Sequence, residues 1–224
     1  ENIRDLDLIG QNEKSGTPTM GGLIILISIL IPTILFADLS NIYILIMIIV
    51  TILAGFIGFI DDYLKIKNKN KDGLKGKFKV AGQIIIGIIV SYIIITNESV
   101  VVRNFSDEIT SESIKNGVEY FDTKDLITTI PFIKDNEFNY NWLLPDSFED
   151  YTWLIYCLVI IFIITAVSNG ANITDGLDGL AAGTSAIVGI TLSIFIYLSG
   201  NIIFSDYLNI LYIPDIGELV IFSF

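Results

Sequence analysis

The spacing of charged residues is the feature of this 224-residue chain that most limits its fold. Five stretches of 18 to 27 residues contain no Asp, Glu, Lys or Arg: 15–37, 39–60, 80–97, 151–174 and 179–205. About 20 apolar residues are enough for a helix to cross the hydrocarbon core of a bilayer. A further uncharged stretch begins at Leu219. The spacing therefore predicts an all-α polytopic integral membrane protein, with five complete transmembrane helices and the start of a sixth.

The composition excludes several other classes of protein. Charged residues make up 17% of the chain, against about 25% in typical soluble domains. A net charge of -12 disfavours nucleic-acid binding, and a single cysteine, Cys157, excludes a disulfide scaffold. The chain has no histidine, so acid–base catalysis or metal binding by histidine is excluded within these residues.

The distribution of charge predicts the orientation in the membrane. Seven of the 13 basic residues fall between residues 61 and 79, and the positive-inside rule places such a segment in the cytoplasm. Residues 98–150 carry twelve acids against four basic residues, and we expect them to form an acidic extracytoplasmic loop. Its β-branched and aromatic patches at 99–103 and 117–121 are candidates for short paired strands.

Counting the crossings from the lysine-rich segment places three polar, glycine-rich segments at one cytoplasmic face. These segments are 14–22, 61–83 and 169–183. The same count places residues 38–41 and 199–215 outside. We therefore treat residues 1–224 as a single integral-membrane domain, and we expect any catalytic or binding site to lie on its inner face.

The adjacent acids Asp61 and Asp62 stand where the second predicted helix ends. Each carboxylate opposes the helix dipole there, at a cost of about 0.3–1 kcal/mol, so a positive group should compensate. One interpretation is a solvated helix end neutralised by Lys65, Lys67 and Lys69. The other is that one carboxylate binds Mg²⁺ while its neighbour acts as a base or a second ligand, since hard oxygen ligands suit this ion.

The basic residues that follow are either an ordinary positive-inside loop or a phosphate site. Lys65, Lys69 and Lys77 accompany Gly73 and Gly76 beside the acid pair. Phosphoryl transfer is catalysed mainly by positioning and by neutralising charge on the transferred group. Lysines next to a carboxylate-held metal would therefore suit a diphosphate substrate.

A third segment, which contains Asn172, Thr174, Asp175 and Asp178, is predicted at the cytoplasmic start of a helix. A helix cap would explain one of these acids, but it does not explain two Asp and two Asn close together. The spacing excludes an EF-hand. The N-terminal segment 14–22 lacks the spacing of a Walker phosphate loop.

Together these segments resemble the polyprenyl-phosphate sugar-1-phosphate transferases, and most closely the phospho-MurNAc-pentapeptide transferases among them. The motifs that carry the resemblance are Lys14-Ser-Gly-Thr-Pro-Thr-Met-Gly-Gly, Asp61-Asp-Tyr with Leu74-Lys-Gly-Lys-x-Lys-x-x-x-Gln83, and Asn172-Ile-Thr-Asp-Gly-Leu-Asp-Gly-Leu-Ala. The resemblance implies a fold of ten transmembrane helices. Residues 21–224 would supply the second to sixth of these and the beginning of the seventh.

The resemblance also implies an activity. The family transfers phospho-MurNAc-pentapeptide from a UDP-linked donor to undecaprenyl phosphate, gives lipid I and UMP, and requires Mg²⁺. This is the first membrane step of peptidoglycan synthesis, on the cytoplasmic face of the bacterial inner membrane. The expected partners are the two substrates and the bilayer, and a homodimer is among the assemblies that it allows.

Carried over by position, the resemblance assigns roles to individual residues. Asp61, Asp62 and Asp178 are candidates for catalysis and for binding the metal, with Asp61 favoured for deprotonating or orienting the lipid phosphate. The candidate substrate contacts are Lys14, Thr19, Lys65, Lys69, Lys77, Asn172 and Asp175.

Two alternative functions remain open at this point. A transferase of GlcNAc-1-phosphate or another hexosamine phosphate shares the acid pair and the basic loop. A cation-coupled transporter would place its acids near the bilayer midplane, whereas these acids lie at one surface. Direct displacement and a covalent phospho-enzyme are both open as mechanisms.

We expect residues 1–224 to be part of a longer enzyme, because the family's later Met-Gly-Asp-x-Gly-Ser segment and its histidine-rich loop would follow Phe224. The full-length parent should release UMP from the UDP-linked donor, and residues 1–224 expressed alone should not. Turnover by residues 1–224 alone would refute this expectation.

Overall fold

The computed structural model describes residues 20–68, 73–105, 119–131, 133, 136–175 and 179–223. The helices are α1 (Gly22–Phe36), α2 (Ile42–Asn68), α3 (Gly76–Thr96), α4 (Thr152–Thr174), α5 (Leu180–Ser199), α6 (Ile202–Leu208) and α7 (Leu219–Ser223). The strands are β1 (Val102–Phe105), β2 (Tyr120–Thr123), β3 (Ile127–Thr129) and β4 (Glu137–Asn139). Short 3-10 turns occupy Tyr140–Leu143, Asp146–Tyr151 and Ile216–Glu218.

Helices that are long and apolar enough to cross a membrane dominate the chain. Four of the described helices, α2, α3, α4 and α5, satisfy this condition, and the apolar span of α4 extends back through the 3-10 turn to Ser147. A polytopic helical membrane protein is therefore confirmed. The prediction of five complete spans is not matched, because α1 has 15 residues and is about 22 Å long, against a hydrocarbon core of about 30 Å.

The first and last predicted spans have different bounds from the helices observed there. The local backbone and capping residues explain both differences. Met20 has a φ of 67°, a left-handed conformation that a right-handed helix does not continue, so α1 begins two residues later. The predicted stretch 179–205 is divided because Gly200 ends α5 and the Asn201 side chain caps α6 by accepting from two backbone N–H groups. Residues 15–19 lie outside the described part of the chain.

The closest helix packing joins α3 to α4. A Cβ on Gly87 would lie 2.9 Å from the Cα atom of Ile161, so the two backbones approach as closely as they do because residue 87 has no side chain. Ile86 and Val90 of α3 form a buried cluster with Ile46 of α2. Elsewhere large apolar side chains face outward, as expected for helices surrounded by lipid.

Contacts between loops bring together the helix ends that were predicted to lie outside the cell. We call this side of the molecule the outer end. Asn41 donates to the carbonyl oxygen of Asp215 at 2.8 Å, and the backbone N–H of Asp38 donates to Glu218 at 3.3 Å. The N–H of Arg103 donates to the carbonyl of Tyr212 at 3.1 Å. These contacts place residues 38–41, the loop after α3 and the segment after α5 together, as the crossing count predicted.

In its described residues, the acidic loop contains two antiparallel strand pairs, of which the sequence predicted one. β1 pairs with β2 in a register that sets Arg103 opposite Asp122. The guanidinium donates to both carboxylate oxygens at 2.7 and 2.8 Å and lies 3.9 Å from the centroid of the Tyr120 ring. These hydrogen bonds hold the pKa of Asp122 below its usual value. The second pair, β3 with β4, was not predicted.

Replacing Gly87 with Ala should destabilise the protein by about 1–3 kcal/mol, because a methyl group would overpack the contact with the backbone of Ile161. Gly183→Ala is a matched control, because nothing lies within 4 Å of a Cβ there. This control should be neutral or slightly stabilising, since Ala is the better helix former. Thermal unfolding of the full-length protein in detergent would measure both changes. Equal stability of the two variants would contradict the proposed close packing.

Candidate functional site

The acid pair lies inside α2 and not at its end, which corrects the prediction from sequence. Asp61 and Asp62 precede the last residue, Asn68, by about two turns. The helix continues because Lys65 stands four and three residues after the two acids and pairs with both. Lys65 and Lys67 also lie in the last turn, where positive charge complements the helix dipole.

Asp61 is a nearly buried carboxylate that accepts from three groups. Lys65 Nζ lies 2.7 Å from Oδ2 and Lys79 Nζ lies 2.9 Å from Oδ1. The backbone N–H of Leu74 also donates to Oδ1, at 2.7 Å. Its side chain is only 10% exposed, so these donors replace the water that it has lost. Asp61 thereby joins α2, the segment before α3 and the first turn of α3.

Gly73 allows this segment to approach the carboxylate. Its φ of 45° lies in the left-handed region that favours glycine. A Cβ at this position would collide with Asp61 Oδ1 and would lie 2.8 Å from Cε of Lys65. Any other residue would therefore push the loop away from Asp61.

Asp62 is in a different environment from its neighbour. Its side chain is 42% exposed, and Lys65 is its ion-pair partner among the described residues, at 3.1 Å. It borders an apolar groove of about 250 Å³ between α1 and α2, which Leu26, Gly58 and Phe59 also line. Asp62 is therefore the accessible carboxylate of the pair.

The charges around the acid pair leave lysines available on the surface. Asp61, Asp62, Lys65 and Lys79 balance one another. Within the described part of the chain, exposed Lys77 pairs with no carboxylate, and its Nζ lies 5.6 Å from the centroid of the Phe78 ring. Sequence reasoning chose Lys65 and Lys77 as candidate substrate contacts and missed Lys79, which pairs with Asp61 from α3.

A buried amide links this cluster to α4. Gln83 is 7% exposed, donates to Ser168 Oγ at 2.9 Å and accepts from Asn169 Nδ2 at 2.8 Å. Gln83 lies one helical turn after Lys79, and Asn169 lies one turn before Asn172. The link therefore fixes how the acid cluster and the end of α4 face each other. In the sequence, the sign of this link is the presence of polar residues within otherwise apolar helices.

The regions of the chain that match known protein families include all of these residues. Residues 43–222 match the model of glycosyl transferase family 4, and residues 14–26 match signature 1 of the phospho-N-acetylmuramoyl-pentapeptide-transferases. The chain belongs to glycosyl transferase family 4. The family match contains the acid pair, Lys79, the Gln83 link and the end of α4.

Proteins named phospho-N-acetylmuramoyl-pentapeptide-transferase are similar to nearly the whole chain. The one from Flavobacterium johnsoniae is 53% identical over 99% of this chain and 56% of its own length. The one from Amoebophilus asiaticus is 54% identical over 99% of this chain and 55% of its own length. The one from Parabacteroides distasonis is 48% identical over 100% of this chain and 54% of its own length. The chain thus spans about half the length of these curated relatives.

The third segment, 169–183, matches the prediction only in part. From Gly179 it leads into α5, as predicted. Its first half lies on α4, which ends at Thr174, so Asn172 lies in the last turn and Asp175 follows at the C-cap. The helix continues because no proline interrupts it, and Thr174 Oγ1 donates to the carbonyl of Gly170 at 2.9 Å. Asn172 and Asp175 are both exposed. In the described part of the chain, no hydrogen bond or ion pair joins these two residues to the acid pair.

Four of the predicted site residues lie outside the described residues: Lys14, Thr19, Lys69 and Asp178. The described residues contain no group of three acids, cysteines or histidines placed to hold a metal ion. Because Asp178 is outside that set, the metal site stays a prediction.

We predict that Asp61 and Asp62 differ in their effect on stability. Asp61→Asn should destabilise the protein by about 1–3 kcal/mol, because two ammonium groups lose their nearly buried partner. Asp62→Asn should change stability by less than about 0.5 kcal/mol, since its ion pair is exposed. Thermal unfolding of the full-length protein would compare them. Greater destabilisation by Asp62→Asn would contradict the arrangement described above.

Proposed function

We propose that the complete protein transfers phospho-MurNAc-pentapeptide from its UDP-linked donor to undecaprenyl phosphate, with lipid I and UMP as products. The observation that carries the proposal is the cluster of Asp61, Asp62, Lys65 and Lys79 beyond the apolar part of a membrane-spanning helix. It occurs in a chain about half identical to relatives named for this reaction. The donor and the lipid acceptor are the proposed partners.

The position of the cluster suits a lipid acceptor whose phosphate lies at the membrane surface. The acids follow the apolar part of α2, and lysines follow the acids. Exposed Lys75 and Lys77 at the start of α3 would attract the phosphates of both substrates. Charge neutralisation of this kind is the main requirement of phosphoryl transfer.

The two acids would have different roles. Both oxygens of Asp61 are engaged by ammonium groups within 3 Å, so we propose that Asp61 holds the lysine-bearing loop in place. Asp62 is accessible, and we propose that it orients the lipid phosphate or accepts its proton. The sequence favoured Asp61 for this second role; the burial of Asp61 and the exposure of Asp62 favour Asp62.

We also propose Mg²⁺ as the cofactor, with Asp62 and Asp178 as its ligands. The exposed carboxylate of Asp62 is a hard oxygen donor of the type that Mg²⁺ binds, whereas the oxygens of Asp61 already contact lysines. When bound, the ion would neutralise charge on the donor diphosphate. Lys14, Thr19, Lys69, Asn172 and Asp175 remain the proposed nucleotide and phosphate contacts.

We propose the bacterial inner membrane as the location, with the site on the cytoplasmic face. The lysine-rich segment after Asp61 supports this orientation through the positive-inside rule. The signature matched at residues 14–26 favours the muramyl-pentapeptide donor over a simpler hexosamine phosphate. The position of Asp61 and Asp62 beyond the apolar part of α2 argues against a midplane transport site.

The decisive experiment measures UMP release by the full-length parent with UDP-MurNAc-pentapeptide and undecaprenyl phosphate. Asp62→Asn should lower kcat by about 10²–10⁴-fold, the usual contribution of a positioned acid or base, while the protein keeps its thermal stability. Asp61→Asn should lower both activity and stability. EDTA should abolish turnover and Mg²⁺ should restore it.

Asp150→Asn provides a matched control, because this acid lies in the outer loop away from the cluster. It should retain wild-type turnover. Wild-type turnover by Asp61→Asn, Asp62→Asn and Asp178→Asn together would refute the assignment of the site. A wild-type enzyme that releases no UMP under these conditions would refute the proposed reaction itself.

A further inference from the structure

Large apolar side chains crowd the segment that leads into α4, and the first turn of α4, at the outer end. Five of them are about half exposed or more, and we call this set the outer foot: Trp142, Leu143, Phe148, Tyr151 and Trp153. They lie where the acidic loop ends and the apolar span begins. The site residues at the opposite end of the helices do not account for them.

The outer foot is held firmly against α4. Tyr140 is 6% exposed, and its ring packs edge-on against Phe138 and against Tyr156 of α4, each with centroids 5.3 Å apart. The Trp142 ring packs edge-on against Phe138 at 5.9 Å. The Tyr140 hydroxyl also forms a 3.0 Å hydrogen bond with Thr128 of β3. The position of Trp142 relative to the helix is therefore set by a packed series of rings.

The 3-10 turn Asp146–Tyr151 is amphipathic. Side chains three residues apart eclipse each other in such a turn, so Phe148 and Tyr151 share one face, with ring centroids 6.2 Å apart. Glu149 and Asp150 fall on the other faces and are exposed. The turn thus has an apolar face and a charged face, which suits a boundary between lipid and water.

The apolar face continues directly into the span. Leu154, Leu158 and Phe162 follow Tyr151 at intervals of three or four residues, and all are exposed. On a helix that crosses a membrane, such a stripe contacts lipid. Trp and Tyr are enriched where a span meets the headgroups, because their rings combine an apolar body with a polar group. The continuity of the stripe therefore favours lipid as the occupant of the outer foot.

α4 has a particular need for an anchor. It contains no charged residue, and its 23 residues make it about 35 Å long, longer than a hydrocarbon core of about 30 Å. Hydrophobic length alone would leave its depth and tilt undetermined, and flanking aromatic or basic residues normally set them. Its last turn contains no basic residue.

We propose that the outer foot is a lipid-binding surface that lies in the headgroup region of the outer leaflet and fixes the depth of α4. The partner is the phospholipid interface of the bilayer in which the protein resides. A consequence, which rests on the proposed function, is that the foot also sets the level at which Asn172 and Asp175 meet the inner surface.

Tryptophan fluorescence tests the proposal directly, because Trp142 and Trp153 are the two tryptophans of the 224-residue chain. The full-length protein is reconstituted in vesicles of phospholipid brominated either near the headgroup or near the chain end. The fluorescence of each tryptophan is obtained by subtracting the fluorescence of Trp142→Phe or Trp153→Phe from that of the wild type. Trp142 should be quenched several-fold more by the shallow bromine than by the deep one, and weakly by aqueous iodide.

Two results would overturn the proposal. Strong quenching of Trp142 by iodide without an effect of bromolipid would mean that the foot lies in water. Protection of Trp142 from both quenchers would mean that protein covers the foot. Trp153 is the reference, since it lies in the first turn of α4 and should be quenched by bromolipid under the same conditions.

A second readout tests the effect on depth. Replacing the vesicle lipid with one of longer chains should lower the rate of UMP release. This decrease should be several-fold larger for the double variant Trp142→Ser/Phe148→Ser than for the wild type. Phe121→Ser removes an exposed aromatic ring from β2 and should show the wild-type dependence on lipid. Equal dependence in all three proteins would refute control of depth. An inactive wild type would leave the fluorescence result intact and count against the proposed function only.

Discussion

The carboxylate of Asp61 determines how the helices are arranged at the end of the molecule that carries the candidate site. A charge that is 10% exposed needs partners, and Asp61 finds them in three parts of the chain: α2 itself, the backbone at Leu74 and the first turn of α3. α2 and α3 are thereby fixed to each other where they leave the membrane. Because Asp61 uses Lys65 and Lys79 for this purpose, Asp62 and the exposed lysines of the loop remain available to a ligand.

A second polar contact extends this constraint to α4. The amide of Gln83 is surrounded by apolar helices, where an unpaired donor or acceptor would cost about 1–3 kcal/mol. Ser168 and Asn169 satisfy both of its polar atoms, and Gly87 lets the two helices approach closely enough one turn further along. The relative position of α3 and α4 is therefore specified by pairing as well as by apolar packing. The acid cluster and the residues that end α4 depend on the same contacts.

The sequence predicted the membrane class, the shared ends of the loops and the grouping of Asp61, Asp62 and Lys65, because these follow from hydropathy and from local spacing. It did not separate the roles of neighbouring residues. Successive residues on a helix point about 100° apart, so Asp61 faces α3 while Asp62 does not, and Lys79 reaches Asp61 while Lys77, two positions earlier, does not. Which face meets a neighbour is decided by packing between helices. Charge spacing also marks where hydrocarbon ends and not where a helix ends, which is why α2 continues past residue 60 to Asn68.

The hydrogen bonds of Gln83 and the outer foot act at opposite ends of α4. The distance between them agrees with the thickness of a membrane. Tyr151 and Asn169 are 18 positions apart in the sequence, which corresponds to about 27 Å along a helix, close to the hydrocarbon thickness of about 30 Å. If the ring of Tyr151 lies at the outer interface, the amides of Asn169 and Gln83 reach the inner interface. Water and headgroups lower the cost of a polar contact there. An anchor at one end of α4 thus places its polar residues at the level where they can pair with α3.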